Sequence, residues 1–345
     1  MAAAAARGVT DSRFLVTASP HLAAPDSTPK IMWSVVASLV PVVAVSAYVF
    51  GPSALVVVGC ATAGALLTER IFAPKGSVRD GSAAITGLLL GLTLPPGLPL
   101  WMVFIGAGFA IGFGKLIFGG LGQNVFNPAL LGRAFLQAAF PVAMTTWPAP
   151  IRGDWWNFYG SNFATPLMQS AADVMTGATP LGLMKFEATG SATRDLIMGS
   201  VGGSLGETSG IVILICGGYL ALRNYLNWRI PISIFATVAV MAGLLHLLDG
   251  ARYPGPLFML FSGGLMLGAV YMATDMVTSP VTNIGAWIFG AGIGLLVVII
   301  RLWGGLAEGM MYAILLMNAM VPFINRVTQP RVFGTPGIGA RGPKP

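Results

Sequence analysis

Charge is what this chain has least of. Of its 345 residues only 9% are Asp, Glu, Lys or Arg, 55% are hydrophobic, and the mean hydropathy is +0.78. Soluble domains are about 25% charged, and a water-exposed globule of this composition would present large apolar patches and aggregate. An ordinary soluble enzyme and a disordered chain are therefore excluded. Cysteine and histidine are as scarce, with two of each. That is too few for a disulfide-built secreted scaffold or for a four-ligand iron–sulfur cluster within one chain. Cys60 and Cys216 fall in apolar runs and read as small buried hydrophobes. Met1–Arg13 lacks the basic start and apolar run of a signal peptide. Neither a metal site nor a catalytic side chain is expected.

A polytopic membrane protein remains. Roughly 20 residues cross the hydrocarbon core, so the chain has room for about ten spans. Ten apolar segments occur near 31–50, 53–72, 82–94, 99–118, 127–146, 207–222, 231–248, 256–273, 284–302 and 307–324. They are long, continuous and rich in Gly, Ala, Leu and Met, which reads as helix rather than the alternation of a barrel. The third is short and ends in Leu94-Pro95-Pro96-Gly97, as a half-spanning helix would. With the N-terminus inside, Arg152, Lys185, Arg194, Arg252 and Arg301 fall outside and Arg133 falls within a span. The other thirteen of the 19 basic residues fall inside. The positive-inside rule thus predicts both termini in the cytoplasm and the polar stretch 147–206 on the outer face. The net charge of +7 is an orientation signal. The basic residues are spread over several loops, which disfavours nucleic acid as a partner.

The organisation expected is a tail at 1–30, five segments over 31–146, the outer segment 147–206, five segments over 207–325, and a tail at 326–345. Five segments per half makes the second half enter the membrane from the opposite side, as inverted repeats do. Gly76-Ser77-Val78 recurs as Gly199-Ser200-Val201, Thr86-Gly87 matches Ser209-Gly210 at the same spacing, and Gly119-Gly120-Leu121 echoes Gly263-Gly264-Leu265. Gly81–Gly97, Phe118–Pro128 and Met272–Pro280 are the candidate helix breaks. The fold class is therefore an all-α polytopic membrane protein with two inverted five-helix repeats and broken helices.

Asp173-Val174-Met175-Thr176-Gly177-Ala178-Thr179-Pro180 lies in the outer segment. Taken bare it is a small-residue turn before a proline. The pattern D-x-x-[S/T]-G-A-T resembles the flavinylation motif of membrane subunits that carry covalent FMN. Further runs match in order: Ser19-Pro20-His21, Thr86-Gly87-Leu88 through Leu94-Pro95-Pro96, Phe118-Gly119-Gly120-Leu121-Gly122-Gln123-Asn124 with Phe126-Asn127-Pro128-Ala129, Gly206-Glu207-Thr208-Ser209, Asn227-Trp228-Arg229-Ile230-Pro231, Gly264-Leu265-Met266-Leu267-Gly268 with Ala273-Thr274-Asp275, and Leu315-Leu316-Met317-Asn318-Ala319. Over residues 15–325 the chain resembles the D-type subunit of the Rnf ion-translocating ferredoxin:NAD oxidoreductase complex. The sister family, the B-type subunit of the sodium-pumping NADH:quinone reductase, has a longer N-terminal extension, so the short tail here favours Rnf.

The resemblance implies FMN joined through its phosphate to Thr179. Asp173, Thr176, Gly177 and Ala178 complete the motif, with Thr176 where many relatives have Ser. It also implies a non-covalent riboflavin, a second flavin-bearing subunit and iron–sulfur membrane subunits as partners, a bacterial inner-membrane location, and electron transfer driving sodium or proton movement. Gly177 and Ala178 would leave the approach open for a modifying transferase. Asp275, Glu207 and Asn127 are candidates for an ion path, because ionisable and oxygen-bearing groups in spans are functional by default. Asn124, Thr278 and Ser279 add oxygens near the breaks. Lys115 is expected to snorkel to the headgroups. Arg133 either neutralises a reduced flavin or reaches the interface, and His246 is expected to be hydrogen-bonded within the bundle. The contrasting function is a passive channel or secondary transporter.

Overall fold

The computed structural model describes residues 26–74, 76–151, 158–166, 177–187, 195–196, 199, 201–207, 209–250 and 252–330. Its first five helices are α1 (Thr28–Phe50), α2 (Pro52–Phe72), α3 (Ser82–Leu92), α4 (Leu100–Gly114) and α5 (Pro128–Ala139). The second half holds α6 (Gly210–Leu222), α7 (Arg229–Leu248), α8 (Pro256–Phe261), α9 (Leu265–Leu267, running on as a π-turn over Gly268–Met272), α10 (Asn283–Trp303) and α11 (Met310–Thr328). All ten apolar segments coincide with these elements, and no β-strand occurs among the described residues. Six helices are long and apolar enough to cross a membrane: α1, α2, α4 with its 3-10 extension, α7, α10 and α11.

Local sequence sets the helix ends. Gly51 takes φ 70° between α1 and α2, a conformation that costs glycine little, and Pro52 starts α2 where its missing N–H is harmless. Asn127 caps α5 by accepting from the N–H groups of Ala129 and Leu130 at 3.0 and 3.3 Å. Thr282 caps α10 through the Gly285 N–H at 3.0 Å. Both caps satisfy donors that a helix start leaves free.

The two halves share a packing plan. In each, the second long helix packs on the fourth segment and the fourth on the fifth: α2 on α4 on α5, and α7 on α10 on α11. Small residues mediate the close approach, with Gly64 of α2 against Ala107 and Gly294 of α10 against Ile234 and Thr237 of α7. This correspondence corrects the tripeptide matches. Gly76 precedes the third segment of the first half, whereas Gly199 precedes the first segment of the second. In a chain with 46 glycines such short matches arise without common ancestry of the elements.

The third segment is broken in both halves. Helix α3 has 11 residues, about 16 Å, half of the ~30 Å core. Its freed carbonyls cannot turn to water, so other segments supply donors. Asn162 Nδ2 donates to Pro96 O and Leu98 O at 2.9 and 3.0 Å, Ser161 Oγ to Gly97 O at 2.7 Å, and Leu205 N to Leu94 O at 3.1 Å. In the second half the break falls at Ser262–Gly264. There Arg301 donates to Met259 O and Ser262 O at 2.6 and 2.8 Å, and Glu308 accepts from the Gly264 N–H.

Lys115, just past the end of α4, does not snorkel. It is 2% exposed and its ammonium contacts both Glu69 oxygens at 2.8 and 2.9 Å and Ser82 Oγ at 2.6 Å. The partner carboxylate, fully buried on α2, outcompetes the headgroups because it needs a counter-charge where no water reaches. His246 is hydrogen-bonded, but not within the bundle: it is exposed in the last turn of α7 and its Nδ1 meets Tyr253 O of the following loop at 2.7 Å. Cys60 and Cys216 are free thiols.

The packing sets two expectations for stability. Gly87→Ala places a methyl against the Thr62 and Ala61 backbone, and should destabilise by about 1–3 kcal/mol. Gly59→Ala on α2, where nothing lies within 4 Å, should be neutral or stabilising. Lys115→Met strands the Glu69 charge and should cost about 3–5 kcal/mol, while the double change with Glu69→Leu recovers most of it. Thermal unfolding in detergent reads both sets. Equal melting for Gly87→Ala and Gly59→Ala, or additive loss in the double variant, contradicts the respective argument.

Candidate functional site

Thr179 sits between exposed Gly177 and Ala178 and the start of a one-turn helix, Pro180–Gly182. Pro180 fixes the backbone for that turn, and the Thr179 Oγ1 accepts from the Gly182 N–H at 3.1 Å. The loop is pinned behind by Gly177 N donating to Trp147 O at 2.9 Å. Ahead of it, Lys185 donates to Ile300 O, Gly304 O and Leu306 O at 3.2, 2.5 and 2.8 Å, tying the segment to the end of α10. Burial pulls the Lys185 ammonium below its ordinary pKa. Leu181 packs with Leu196 and Phe258 in a small apolar cluster under the turn. Asp173 and Thr176 lie outside the described residues.

The Thr179 side chain borders a small cleft of about 110 Å³. One wall is apolar: Met144, Trp147, Leu181, Leu306 and Met311. The other carries Arg133 and Gln137 of α5, Glu207, Glu308 and Tyr312. Arg133 is 9% exposed and meets Glu308 Oε2 at 3.3 Å. Of the two readings open for it, the interface is excluded: the guanidinium turns into this cleft. Its Nε has no hydrogen-bond partner among the described residues. Glu207 accepts from Ser204 Oγ at 2.8 Å.

A second cavity, about 110 Å³, lies where the two halves meet. Asn124, Asn127, Lys115, Thr86, Thr274 and Asp275 are among its polar lining residues, with Ser82, Tyr225 and Tyr271; Ile31, Val35, Leu89, Leu220 and Val270 are among its apolar ones. Asn127 Nδ2 donates across the halves to Met272 O at 3.1 Å. The Asn318 amide, oriented with its oxygen toward Asn127 N at 3.1 Å, donates to Thr278 O at 3.2 Å. Asp275 accepts from Val277 N at 3.3 Å and Thr278 Oγ1 at 3.2 Å.

The three ion-path candidates are therefore divided. Asp275 and Asn127 share the central cavity, and Glu207 lies at the Thr179 cleft. Helix α5 joins the two, starting at Asn127 and presenting Arg133 to the cleft about 9 Å further along its axis. Sequence reasoning missed Glu308, Gln137, Tyr312, Asn318 and the Lys115–Glu69 pair. Glu308 carried a usable signal, an acid in the Gly-rich gap between two apolar runs. The others face their partners only after folding.

The chain matches the NQR2, RnfD, RnfE family over residues 15–334. It is 41% identical over 336 residues to the D-type subunit of the proton-translocating ferredoxin:NAD(+) oxidoreductase complex of Clostridium ljungdahlii, covering 93% of this chain and 96% of that one. It is 42% identical over 331 residues to the D-type subunit of the Na(+)-translocating ferredoxin:NAD(+) oxidoreductase complex of Acetobacterium woodii, covering 94% and 96%. With the corresponding subunit of the ion-translocating oxidoreductase complex of Stutzerimonas stutzeri it shares 41% over 330 residues, covering 89% and 92%. A proton-translocating and a sodium-translocating relative stand at nearly equal identity, so overall likeness does not select the ion. Matched along almost its whole length, this multi-pass helical membrane protein belongs to the NQR2, RnfD, RnfE family.

Proposed function

We propose that the chain is the D-type electron-transfer subunit of an Rnf-type ion-translocating ferredoxin:NAD oxidoreductase, carrying FMN esterified to Thr179. The observation that carries this reading is that Thr179 borders a cleft lined both by apolar side chains and by a buried, under-bonded Arg133. That is the chemistry a tethered, partly apolar and electron-accepting ring requires. The flavin supplies reversible electron transfer; the chain supplies attachment, orientation and field. The Thr179 hydroxyl oxygen would bond to the FMN phosphorus of a flavin adenine dinucleotide donor as its pyrophosphate bond breaks, AMP leaving and the hydroxyl proton passing to solvent, on a flavin transferase that reaches it past exposed Gly177 and Ala178. Asp173 and Thr176 belong to the segment that the transferase reads.

The central cavity, with apolar walls and the Asn124 and Asn127 amides at its rim, suits the non-covalent riboflavin. Asp275 and Asn127 line the ion path there and Glu207 lines it at the cleft. The complex sits in the bacterial inner membrane with both termini cytoplasmic and Thr179 on the outer face, where a covalent tether prevents loss of the flavin. The partners are a second covalent-flavin subunit and iron–sulfur membrane subunits. The names of the relatives, all D-type subunits, favour Rnf over the B-type subunit of the sodium-pumping reductase.

On a denaturing gel the wild-type chain, made in cells with the flavin transferase, should fluoresce under ultraviolet light. Thr179→Ala should be dark and Thr179→Ser should keep the signal. A dark wild-type band overturns the covalent reading and restores the channel or transporter alternative. In the assembled complex, Asp275→Asn should lower ion translocation per electron about tenfold, the weight of one charge-assisted hydrogen bond, with the fluorescent band intact. Unchanged translocation removes Asp275 from the path.

A further inference from the structure

The geometry points to Arg133 as the side chain that binds the pyrimidine edge of the flavin ring and stabilises its reduced form, with Glu308 setting how strongly. This rests on the flavin reading of Thr179 and adds the group that faces the ring.

A guanidinium has five donors in a fixed fork, and a buried one normally uses them. Arg133 does not. Its single carboxylate contact, to Glu308, is long at 3.3 Å, and its Nε has no partner among the described residues although the side chain is nine-tenths buried. Arg301 also leaves its Nε unpaired, but commits both terminal nitrogens to break carbonyls at 2.6 and 2.8 Å. Glu308 cannot swing fully to Arg133, because its other oxygen holds the Gly264 N–H. Nε is sealed from the cleft, but the Arg133 side chain lines the cleft that Thr179 borders, and its terminal nitrogens carry only the one long contact. Gln137, one turn along the same face of α5, borders it too and offers both a donor and an acceptor. A flavin's pyrimidine edge carries the complementary set: carbonyl oxygens, the N1 acceptor and the N3–H donor.

Reduced by two electrons from a flavin or iron–sulfur carrier of the complex, with one proton taken from water, the ring would gain one negative charge, spread over N1 and C2=O. A charge-assisted hydrogen bond from Arg133 is stronger to that form than to the neutral oxidised ring. Glu308 opposes this by neutralising part of the Arg133 charge.

The test is a redox titration of the covalently bound flavin in the full-length chain, co-expressed with the flavin transferase and read by absorbance. Arg133→Gln should keep the fluorescent gel band and lower the reduced-to-oxidised ratio at fixed potential about tenfold, ~30 mV for a two-electron couple. Arg133→Lys should restore part of the ratio. Glu308→Gln should shift it the opposite way, which a merely structural disturbance at the cleft has no reason to do. Retained fluorescence with wild-type potentials in all three variants overturns the role of Arg133 and leaves the Thr179 reading standing. A dark wild-type band strikes the Thr179 reading itself. Should Arg133→Gln not accumulate, the Arg133→Lys and Glu308→Gln pair decides, and absence of opposite shifts refutes the proposal.

Discussion

Backbone polar groups at membrane depth must find partners inside the protein, and this requirement governs how the chain spends its few polar residues. Each half interrupts its third segment, so each exposes carbonyls and N–H groups where lipid offers nothing. The repairs are made by residues from distant segments: Asn162 for the Pro96–Leu98 break, Arg301 and Glu308 for Ser262–Gly264. Once those residues are committed, the break positions fix the rest. Ser161 and Asn162 bond to the carbonyls that follow the Pro95-Pro96 turn, and Gly263 lines the Thr179 cleft. A chain with 9% charged residues has little redundancy, so several of its few charged side chains are spent on repairing breaks.

The charged group at the end of the fourth segment shows the shared packing plan of the two halves more clearly than any sequence match. Lys115 follows α4 and reaches Ser82 at the start of the third segment of its half. Arg301 ends α10 and reaches Met259 and Ser262 in the third segment of the other. The elements correspond in order, in packing partners and in this reach. The tripeptide echoes do not follow the same correspondence. Small-residue strings are cheap in a glycine-rich chain, whereas a buried cation at a fixed place in the fold needs a paired environment to exist at all.

Hydropathy alone made the ten helical segments readable, since long uncharged runs have no stable alternative in a membrane protein. The Thr179 turn was readable from its motif, and the cap at Asn127 from the Asn-Pro step that starts α5. The wall facing Thr179 was not readable. Arg133 and Glu308 are far apart in sequence and meet only because α5 and the loop before α11 converge. Lys115 and Glu69 lie on different helices, and no periodicity reports that their faces oppose. Snorkelling was the wrong expectation for Lys115 because it considered the lysine without the acid across the helix gap. Contacts between segments depend on rotation and depth, which a hydropathy pattern does not encode.

Bonding saturation separates the structural charges from the functional one. Lys115 has three donors and uses three, at 2.6 to 2.9 Å, on Glu69 and Ser82. It lines the central cavity yet has no donor left to offer, so its effect on anything bound there is through its field, already balanced by Glu69. Arg133 has five donors, one long contact and an idle Nε among the described residues. In a low-dielectric site an idle donor costs stability, and the fold would gain from moving Glu308 closer to Arg133. It does not, because Glu308 is held by Gly264. The same carboxylate that secures the second break therefore keeps Arg133 available, and the architecture of the helix break and the reactivity of the cleft are one arrangement.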